Sequence, residues 1–265
     1  MIRSHFGLEH NPFDSSEAQL LPHQQLVFET LLVHARQGGL CLLMGEPGTG
    51  KSVIKQAVIR KDTKRMITPT IARTLHTYTN TLTILCEAFG IEPKGRDPLR
   101  EKQLIETAWK LNSERKLLVP IIDDAHLMDI DCLRKIRLLF EDFPPCHNLI
   151  LIAQPELLQR LKLGVHEDIR SRITYSVTLQ PLPPDDITGF IRTELDRIGL
   201  PHNTFSDGAL ELITRASEGI LRRVRNLCIS AMLETARDHA KAVGIEQVNR
   251  VLMQPHWRTD HDLSA

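Results

Sequence analysis

Short apolar runs alternate, over the first two thirds of the chain, with segments whose apolar residues recur every three or four positions. The runs are typical of buried parallel strands, and the recurring pattern is typical of helices that bury one face. Strands are predicted at 40–44, 66–72, 117–123, 148–153 and 173–179. Helices are predicted at 24–37, 52–59, 79–89, 98–116, 130–142 and, with interruptions, 156–172. Strands that alternate with helices predict an α/β fold in which helices flank a parallel sheet.

The pattern changes after residue 180. Three prolines within 181–184 exclude both a helix interior and a central strand. Beyond them only helical spacing remains, and helices are predicted at 185–198, 206–216, 221–241 and 246–253. We therefore predict four regions: an N-terminal entry segment at 1–38, an α/β domain at 39–180, a small all-helical domain at 181–254 and a flexible tail at 255–265.

A glycine-rich loop joins the first predicted strand to the helix that follows it. The loop matches the phosphate-binding pattern G-x-x-x-x-G-K-[ST] at every fixed position. Its glycines let backbone N–H groups turn toward phosphates, Lys51 reaches the terminal phosphates and Ser52 can ligate magnesium. The loop is predicted to bind a nucleoside triphosphate; the alternative is a turn without a ligand. The predicted nucleotide-binding residues are Gly45, Glu46, Pro47, Gly48, Thr49, Gly50, Lys51, Ser52 and Val53.

Two acids end the third predicted strand. The apolar run 117–122 leads directly into Asp123 and Asp124, which is the form of a Walker B element. A parallel strand of this kind brings its acids to the carboxyl edge of the sheet, beside the phosphate loop. Asp123 is predicted to hold magnesium together with Ser52, and Asp124 to orient or deprotonate the attacking water. The alternative for Asp124 is that it only caps the next segment.

Three further side chains lie at strand ends. Gln154 follows the fourth predicted strand, where its amide could contact the γ-phosphate or its water. Arg170 and Arg172 lie just before the fifth predicted strand. A guanidinium group at a subunit edge can reach a neighbour's γ-phosphate as an arginine finger. The alternative for these two arginines is surface ion pairing.

The order of these motifs resembles that of AAA+ ATPases of the ExeA, TniB and MuB group, and most closely the ExeA-like branch. The segments that carry the likeness are 5–8, 12–13, 45–52, 121–126, 154–157, 170–173 and 222–224. The resemblance implies a P-loop NTPase (AAA+) fold with a helical lid, ATP and Mg²⁺ as ligands, and a ring or helical filament with ATP at each junction. It places Gln154 at the sensor 1 position and Arg222 at the sensor 2 position, where the arginine folds back onto the nucleotide. Asp124 replaces the usual glutamate and is about 1.5 Å shorter, so slow hydrolysis is expected.

Two biological functions follow from this resemblance. ExeA proper carries a membrane span and a wall-binding domain after its ATPase domain, whereas this sequence stops after the predicted lid. Short cytosolic members of the group accompany transposases. We therefore expect a cytoplasmic homo-oligomer, without membrane contact, that assembles on double-stranded DNA and selects or regulates the target of a transposase. The alternative is an ATPase of a general secretion assembly system; a metabolic phosphoryl transferase would need a second-substrate motif, and none is recognised.

Charge and cysteine content add few constraints. The 265 residues include 33 basic and 33 acidic ones, so a DNA site would depend on local clusters or on several subunits together. The five cysteines form no C-x-x-C pair and are expected to be reduced, and no apolar run has the length of a membrane span. Each basic cluster is either a solvated face or a DNA contact. The clusters are Lys55, Arg60, Lys61, Lys64 and Arg65; Arg134, Lys135 and Arg137; and Arg222, Arg223 and Arg225, and the contacts expected first are Lys61, Lys64, Arg134, Lys135 and Arg137.

Overall fold

The computed structural model describes residues 1–13, 19–71 and 77–257. The chain divides into two compact units. The α/β unit contains 19–46 and 50–179, and the helical unit contains 1–18, 47–49 and the chain from 180 onward. The end of the predicted strand at residue 72 and the predicted tail beyond residue 257 lie outside the described residues.

A parallel five-stranded sheet forms the centre of the α/β unit. The described strands are β1 (Gly39–Gly45), β2 (Met66–Ile67), β3 (Thr70–Ile71), β4 (Leu117–Leu118), β5 (Ile121–Ile122), β6 (Asn148–Ala153) and β7 (Ile173–Leu179). Their order across the sheet is β3, β5, β6, β1, β7, and β2 pairs separately with β4. All these pairs are parallel, which confirms the predicted parallel sheet.

Two predicted strands, 66–72 and 117–123, are each divided into two short strands. Pro69 separates β2 from β3, and Pro120 lies between β4 and β5. Proline has no backbone N–H to donate to a neighbouring strand, so the regular ladder is interrupted there. The proline carbonyls still accept: Ile121 N donates to Pro69 O at 2.8 Å, and Ile150 N donates to Pro120 O at 3.0 Å. The predicted strand positions are therefore confirmed, but the prediction of continuous strands was wrong.

Apart from α1, the helices begin and end close to the predicted positions. They are α1 (Ile2–Phe6), α2 (Pro22–Gln37), α3 (Lys51–Lys61), α4 (Tyr78–Ala88), α5 (Asp97–Ser113), α6 (Ile130–Glu141), α7 (Glu156–Leu161), α8 (Glu167–Arg170), α9 (Pro184–Arg197), α10 (Asp207–Ser217), α11 (Leu221–Arg237) and α12 (Ile245–Leu252). Proline in the first turn starts α2, α5 and α9, and the side chains of Thr77 and Asp129 cap α4 and α6. None of the described helices is long and apolar enough to cross a membrane.

Both faces of the sheet are buried along β1. Along β1, Leu40, Leu42 and Met44 belong to one apolar cluster, whereas Cys41 and Leu43 belong to another. Successive side chains of a strand point to opposite faces, so the two clusters lie on opposite sides of the sheet. This explains why β1 is a continuous apolar run rather than an alternating one.

The helical unit combines the C-terminal helices with α1, which the sequence did not predict. The His5 ring joins α1 to the region after α11 through Nε2 and Ala240 O, 2.8 Å apart. The Ser206 side chain caps α10 by accepting from Ala209 N. Helix α11 ends at Arg237 rather than at 241, because His239 takes a left-handed φ of 52° that does not continue a helix.

Candidate nucleotide-binding site

The predicted phosphate loop forms the turn between β1 and α3. Strand β1 ends at Gly45, so the loop leaves the sheet at its carboxyl edge. Gly50 takes a left-handed φ of 106° at the N-cap of α3, and Lys51, Ser52 and Val53 form the first turn. That turn contains no acidic residue, so no carboxylate of its own offsets the positive end of the helix. This helix terminus is suited to an anion.

Lys51 folds back over the beginning of the loop. Its Nζ donates to the carbonyl oxygen of Gly45 at 2.5 Å and to that of Glu46 at 2.9 Å. The ammonium group therefore lies over the first residues of the loop. The Lys51 ammonium and the backbone N–H groups of the loop, which are the predicted phosphate ligands, therefore lie in one local structure.

Residues 47–49 belong to the helical unit. Gly48 takes a φ of 92°, and a Cβ at this position would lie 2.7 Å from Arg222 Cβ and 2.9 Å from Ile220 Cγ2. Only glycine fits there. The backbone N–H of Arg222 donates to Gly48 O at 3.2 Å, and Thr49 is buried. The N-terminus of α11 thus contacts the tip of the loop, whereas residue Arg222 is largely exposed.

Asp123 lies at the end of β5 and forms an ion pair with a helix residue. Its backbone N–H donates to Ile71 O at 3.1 Å, which continues the pairing of β5 with β3. Lys55 Nζ lies 2.5 Å from Asp123 Oδ2, and the two side chains are 15% and 25% exposed. Because Lys55 is four residues after Lys51 on α3, this pair links the helix that follows the loop to the predicted metal ligand.

Asp124 begins a short 3₁₀ turn at Ala125–Leu127 with a left-handed backbone, φ 51° and ψ 39°. Aspartate tolerates this conformation better than most residues. Its side chain makes no capping hydrogen bond to the turn. The half-buried carboxylate is therefore not used as a helix cap, which was the alternative role considered for it.

Gln154 follows β6 and contacts a histidine from the turn after β5. The two ring nitrogens of His126 lie 3.4 Å from Gln154 N and 2.9 Å from the Gln154 side-chain amide. Arg160 on α7 donates through Nη1 to His126 O at 2.7 Å and through Nη2 to Met128 O at 3.4 Å. The structure therefore joins the segment that follows Asp124 to the predicted sensor glutamine.

The two predicted finger arginines are both ion-paired within the α/β unit. Arg170 pairs with Glu167 of its own helix, and Arg172 Nη2 lies 2.9 Å from Glu141 Oε1. Their side chains are 44% and 62% exposed. Surface ion pairing, the alternative considered for them, does occur here. Exposed ion pairs stabilise by only about 0–1 kcal/mol. Because Arg172 is the more exposed of the two arginines, it can exchange its partner more easily than Arg170 can.

The predicted metal ligands have the chemistry that magnesium requires. Ser52 offers a hydroxyl oxygen and Asp123 a carboxylate, and Mg²⁺ is usually held by one or two carboxylates together with substrate phosphates. These oxygen donors fit this metal. In the structure, Asp123 Oδ2 is paired with the Lys55 ammonium.

The fold defines the class of protein. A parallel five-stranded sheet flanked by helices, with a phosphate loop after β1 and a helical C-terminal region, is the P-loop AAA+ fold. Residues 34–161 match the family model described as AAA domain. Proteins of this family generally bind ATP or ADP with Mg²⁺ and hydrolyse ATP.

The chain is similar to the general secretion pathway protein A of Aeromonas hydrophila. The identity is 26% over 88% of this chain, and the chain spans about 44% of that protein's length. This relative confirms the likeness to ExeA. Among solved structures, Cdc6p of Pyrobaculum aerophilum has a TM-score of 0.67 and 18% identity, and the match covers 94% of this chain and 69% of that protein. The ORC1 protein of Aeropyrum pernix, in complex with DNA, has a TM-score of 0.68 and 17% identity, and the match covers 90% of this chain and 66% of that protein.

Sequence reasoning missed three residues of this site: Lys55, His126 and Arg160. Lys55 had a usable signal, because helical spacing places it on the same face as Lys51. His126 lies within the motif 121–126 but was given no role. Arg160 had no signal in the sequence, since only the packing of α7 against the turn after β5 brings it to His126 O.

Proposed function

We propose that this chain is an ATP-binding, slowly hydrolysing AAA+ protein that oligomerises on DNA with ATP and acts as a target-selection or regulatory factor in DNA transposition. The observation that carries the ATP site is the loop that ends at the N-terminus of α3, with the Lys51 ammonium folded over it. Backbone N–H groups of the loop and the Lys51 ammonium bind the phosphates. The further residues assigned to the nucleotide are Gly45, Glu46, Pro47, Gly48, Thr49, Gly50, Val53 and Arg222.

We assign the hydrolysis of ATP to residues at the ends of β5 and β6. Asp124 accepts a hydrogen bond from the attacking water and orients it, since its carboxylate has no capping bond to the turn. Gln154 contacts the γ-phosphate or that water. Ser52 and Asp123 would hold Mg²⁺, which would supply positive charge to the phosphates. Lys55 holds the Asp123 carboxylate in place through their ion pair.

Asp124→Asn should leave ATP bound and reduce its hydrolysis about a hundredfold or more, the usual contribution of a general base. Asparagine tolerates the left-handed backbone at this position, so the turn is retained. Asp124→Glu should raise turnover, because its carboxylate extends about 1.5 Å further toward the water. Single-turnover hydrolysis and ATP affinity are measured together. Equal turnover of the Asn variant and the wild type would contradict the role of Asp124.

The DNA part of the proposal is supported by an exposed basic surface at the C-terminal end of α3. The α3 basic cluster consists of Arg60, Lys61, Lys64 and Arg65, which are all exposed. Asp62 lies among them but pairs with Arg36 at 3.7 Å. An oligomer repeats this cluster along the phosphate backbone, so many weak contacts add to one attachment. The fold is also that of a protein solved in complex with DNA, the ORC1 protein of Aeropyrum pernix.

The basic residues of α6 are less suited to DNA than the sequence suggested. Arg134 Nε donates to Asp168 at 2.8 Å and Nη1 donates to Asp131 at 2.5 Å. The hydrogen bond to Asp168 raises the pKa of the Arg134 guanidinium above its usual range. Arg137 pairs with Glu141 at 2.7 Å and is 12% exposed. Since carboxylates offset these two charges, we assign DNA binding to Lys61 and Lys64 first and to Lys135 second.

Lys61→Ala combined with Lys64→Ala should weaken the binding of the ATP-loaded protein to duplex DNA of every sequence alike. The slope of log affinity against log salt should fall by about 0.9 for each phosphate that the variant no longer neutralises. Fluorescence anisotropy of labelled duplexes over a range of salt concentrations measures both the affinity and the slope. Arg134→Ala is the matched control and should change the slope much less, because its charge is already offset by two acids. A wild-type protein with ATP that retains no DNA at low salt would rule out the DNA proposal.

A second candidate function is supported by the similarity to general secretion pathway protein A. The 26% identity to general secretion pathway protein A extends over 88% of the chain, which favours an ATPase of a secretion assembly system. The DNA measurement separates the two candidates, since a secretion ATPase needs no DNA-stimulated assembly. Stimulation of strand transfer by a purified transposase would support the first candidate.

A further inference from the structure

The contact between His126 and Gln154 determines where the ring proton of His126 lies. The backbone N–H of Gln154 donates to His126 Nδ1 over an N···N distance of 3.4 Å. A backbone N–H can only donate, so Nδ1 must be an acceptor without a proton. The proton of the imidazole is then on Nε2.

The same contact determines the orientation of the Gln154 amide. His126 Nε2 lies 2.9 Å from Nε2 of the Gln154 side chain, so two donors would face each other in this orientation. A rotation of the amide by 180° places Oε1 there as the acceptor for the ring N–H. The NH₂ group of Gln154 then points away from the ring.

We propose that His126 is a positioning residue that keeps the NH₂ group of Gln154 available to a terminal phosphate. The proposal rests on the ATP site proposed above. Phosphate oxygens accept hydrogen bonds and do not donate them, so only the NH₂ end of an amide can bind them. In the opposite orientation, Oε1 would direct its lone pairs at the anion. His126 thus selects the orientation that recognises a γ-phosphate.

The backbone around His126 is held in a way that supports this role. Arg160 lies on α7, the helix that follows Gln154, and its guanidinium group donates to the carbonyls of His126 and Met128. This fork fixes the turn after Asp124 relative to the end of β6. The ring and the amide are therefore positioned by the same contact between two segments, and both residues are half-buried.

A double-mutant cycle tests the proposal with ATPγS and ADP as probes. His126→Leu should lower the preference for ATPγS over ADP about tenfold, the loss of one hydrogen bond to a charged group, without changing ADP affinity. In a Gln154→Ala background, His126→Leu should have no further effect on the preference. Gln154→Glu is the matched control, because it keeps an acceptor for His126 and replaces NH₂ by oxygen; it should lose the preference at least as fully as Gln154→Ala. Additive effects of His126→Leu and Gln154→Ala would overturn the proposal.

The tautomer of His126 gives a readout that needs no nucleotide. Nitrogen-15 chemical shifts of the ring should show a proton on Nε2 and none on Nδ1, and a proton on Nδ1 would overturn the inference. If His126→Leu does not fold, His126→Asn replaces it, since its oxygen can accept from Gln154 N but it has no counterpart of Nε2. Wild-type protein that shows the expected tautomer but does not bind ATPγS would contradict the proposed ATP site and leave the tautomer assignment intact.

Discussion

Lys51→Ala should reduce ATP affinity by about a hundredfold or more. The ammonium group is expected to bond the terminal phosphates through two charge-assisted hydrogen bonds, each worth about 1.5–3 kcal/mol. The variant keeps the backbone donors of the loop and the N-terminus of α3, so weak binding of the phosphates remains. Calorimetry with ATP on the wild type and the variant measures the difference.

Lys61→Ala is the matched control for this prediction. It removes the same charge from the same helix, but its side chain is exposed at the other end of α3. ATP affinity should stay unchanged in this variant. Thermal unfolding of both variants is also needed, because Lys51 braces the loop through Gly45 O and Glu46 O. Equal ATP affinity of Lys51→Ala and wild type would contradict the assignment of the site.

Arg172→Ala should spare ATP binding by isolated subunits and lower hydrolysis by the oligomer about a thousandfold, which is the lower range known for arginine fingers. Arg172 is the more exposed of the two candidates, and its pair with Glu141 is of the weak surface type. Arg170→Ala should have a smaller effect, since Arg170 is paired within its own short helix. Turnover is measured at concentrations where both variants form oligomers.

A mixing experiment shows whether the arginine acts on a neighbouring subunit. Arg172→Ala subunits have an intact phosphate loop, and Lys51→Ala subunits have an intact arginine. At a mixed junction, one subunit supplies the loop and the other the arginine, so turnover should be partly restored. If no mixing ratio restores it while oligomers form, Arg172 does not act in trans.

Local sequence signals predicted the secondary structure well where one segment contains the whole signal. The apolar runs of β1 and β6 are buried almost throughout, and β7 alternates between half-buried and exposed residues, so each of these patterns lies within one segment and the strand positions were predicted closely. Pro69 and Pro120 were visible signals that were not applied, although proline interrupts a strand ladder. Helix α1 was missed because its five residues are too short to show helical periodicity, and its ring contact is to Ala240.

The residues of the candidate site also divide into those that the sequence predicted and those that only the structure brought together. The phosphate loop is contiguous, and its glycines, lysine and serine were all assigned from spacing alone. The ion pair of Lys55 with Asp123 joins residues 68 positions apart, and the contact of Gln154 with His126 joins residues 28 positions apart. The pattern of apolar and polar residues within one segment cannot predict contacts between residues so far apart in the chain.

The amino-acid sequence by itself determined the alternation of strands and helices, the phosphate loop and the acids at the end of β5. Each of these depends on residues adjacent along the chain, or on the regular period of one element. Only the tertiary structure decided that Asp168 pairs with Arg134, that Lys55 pairs with Asp123, and that His126 faces Gln154. These contacts depend on which strand ends and helices meet at the edge of the sheet, and that is set by the packing of the whole α/β unit.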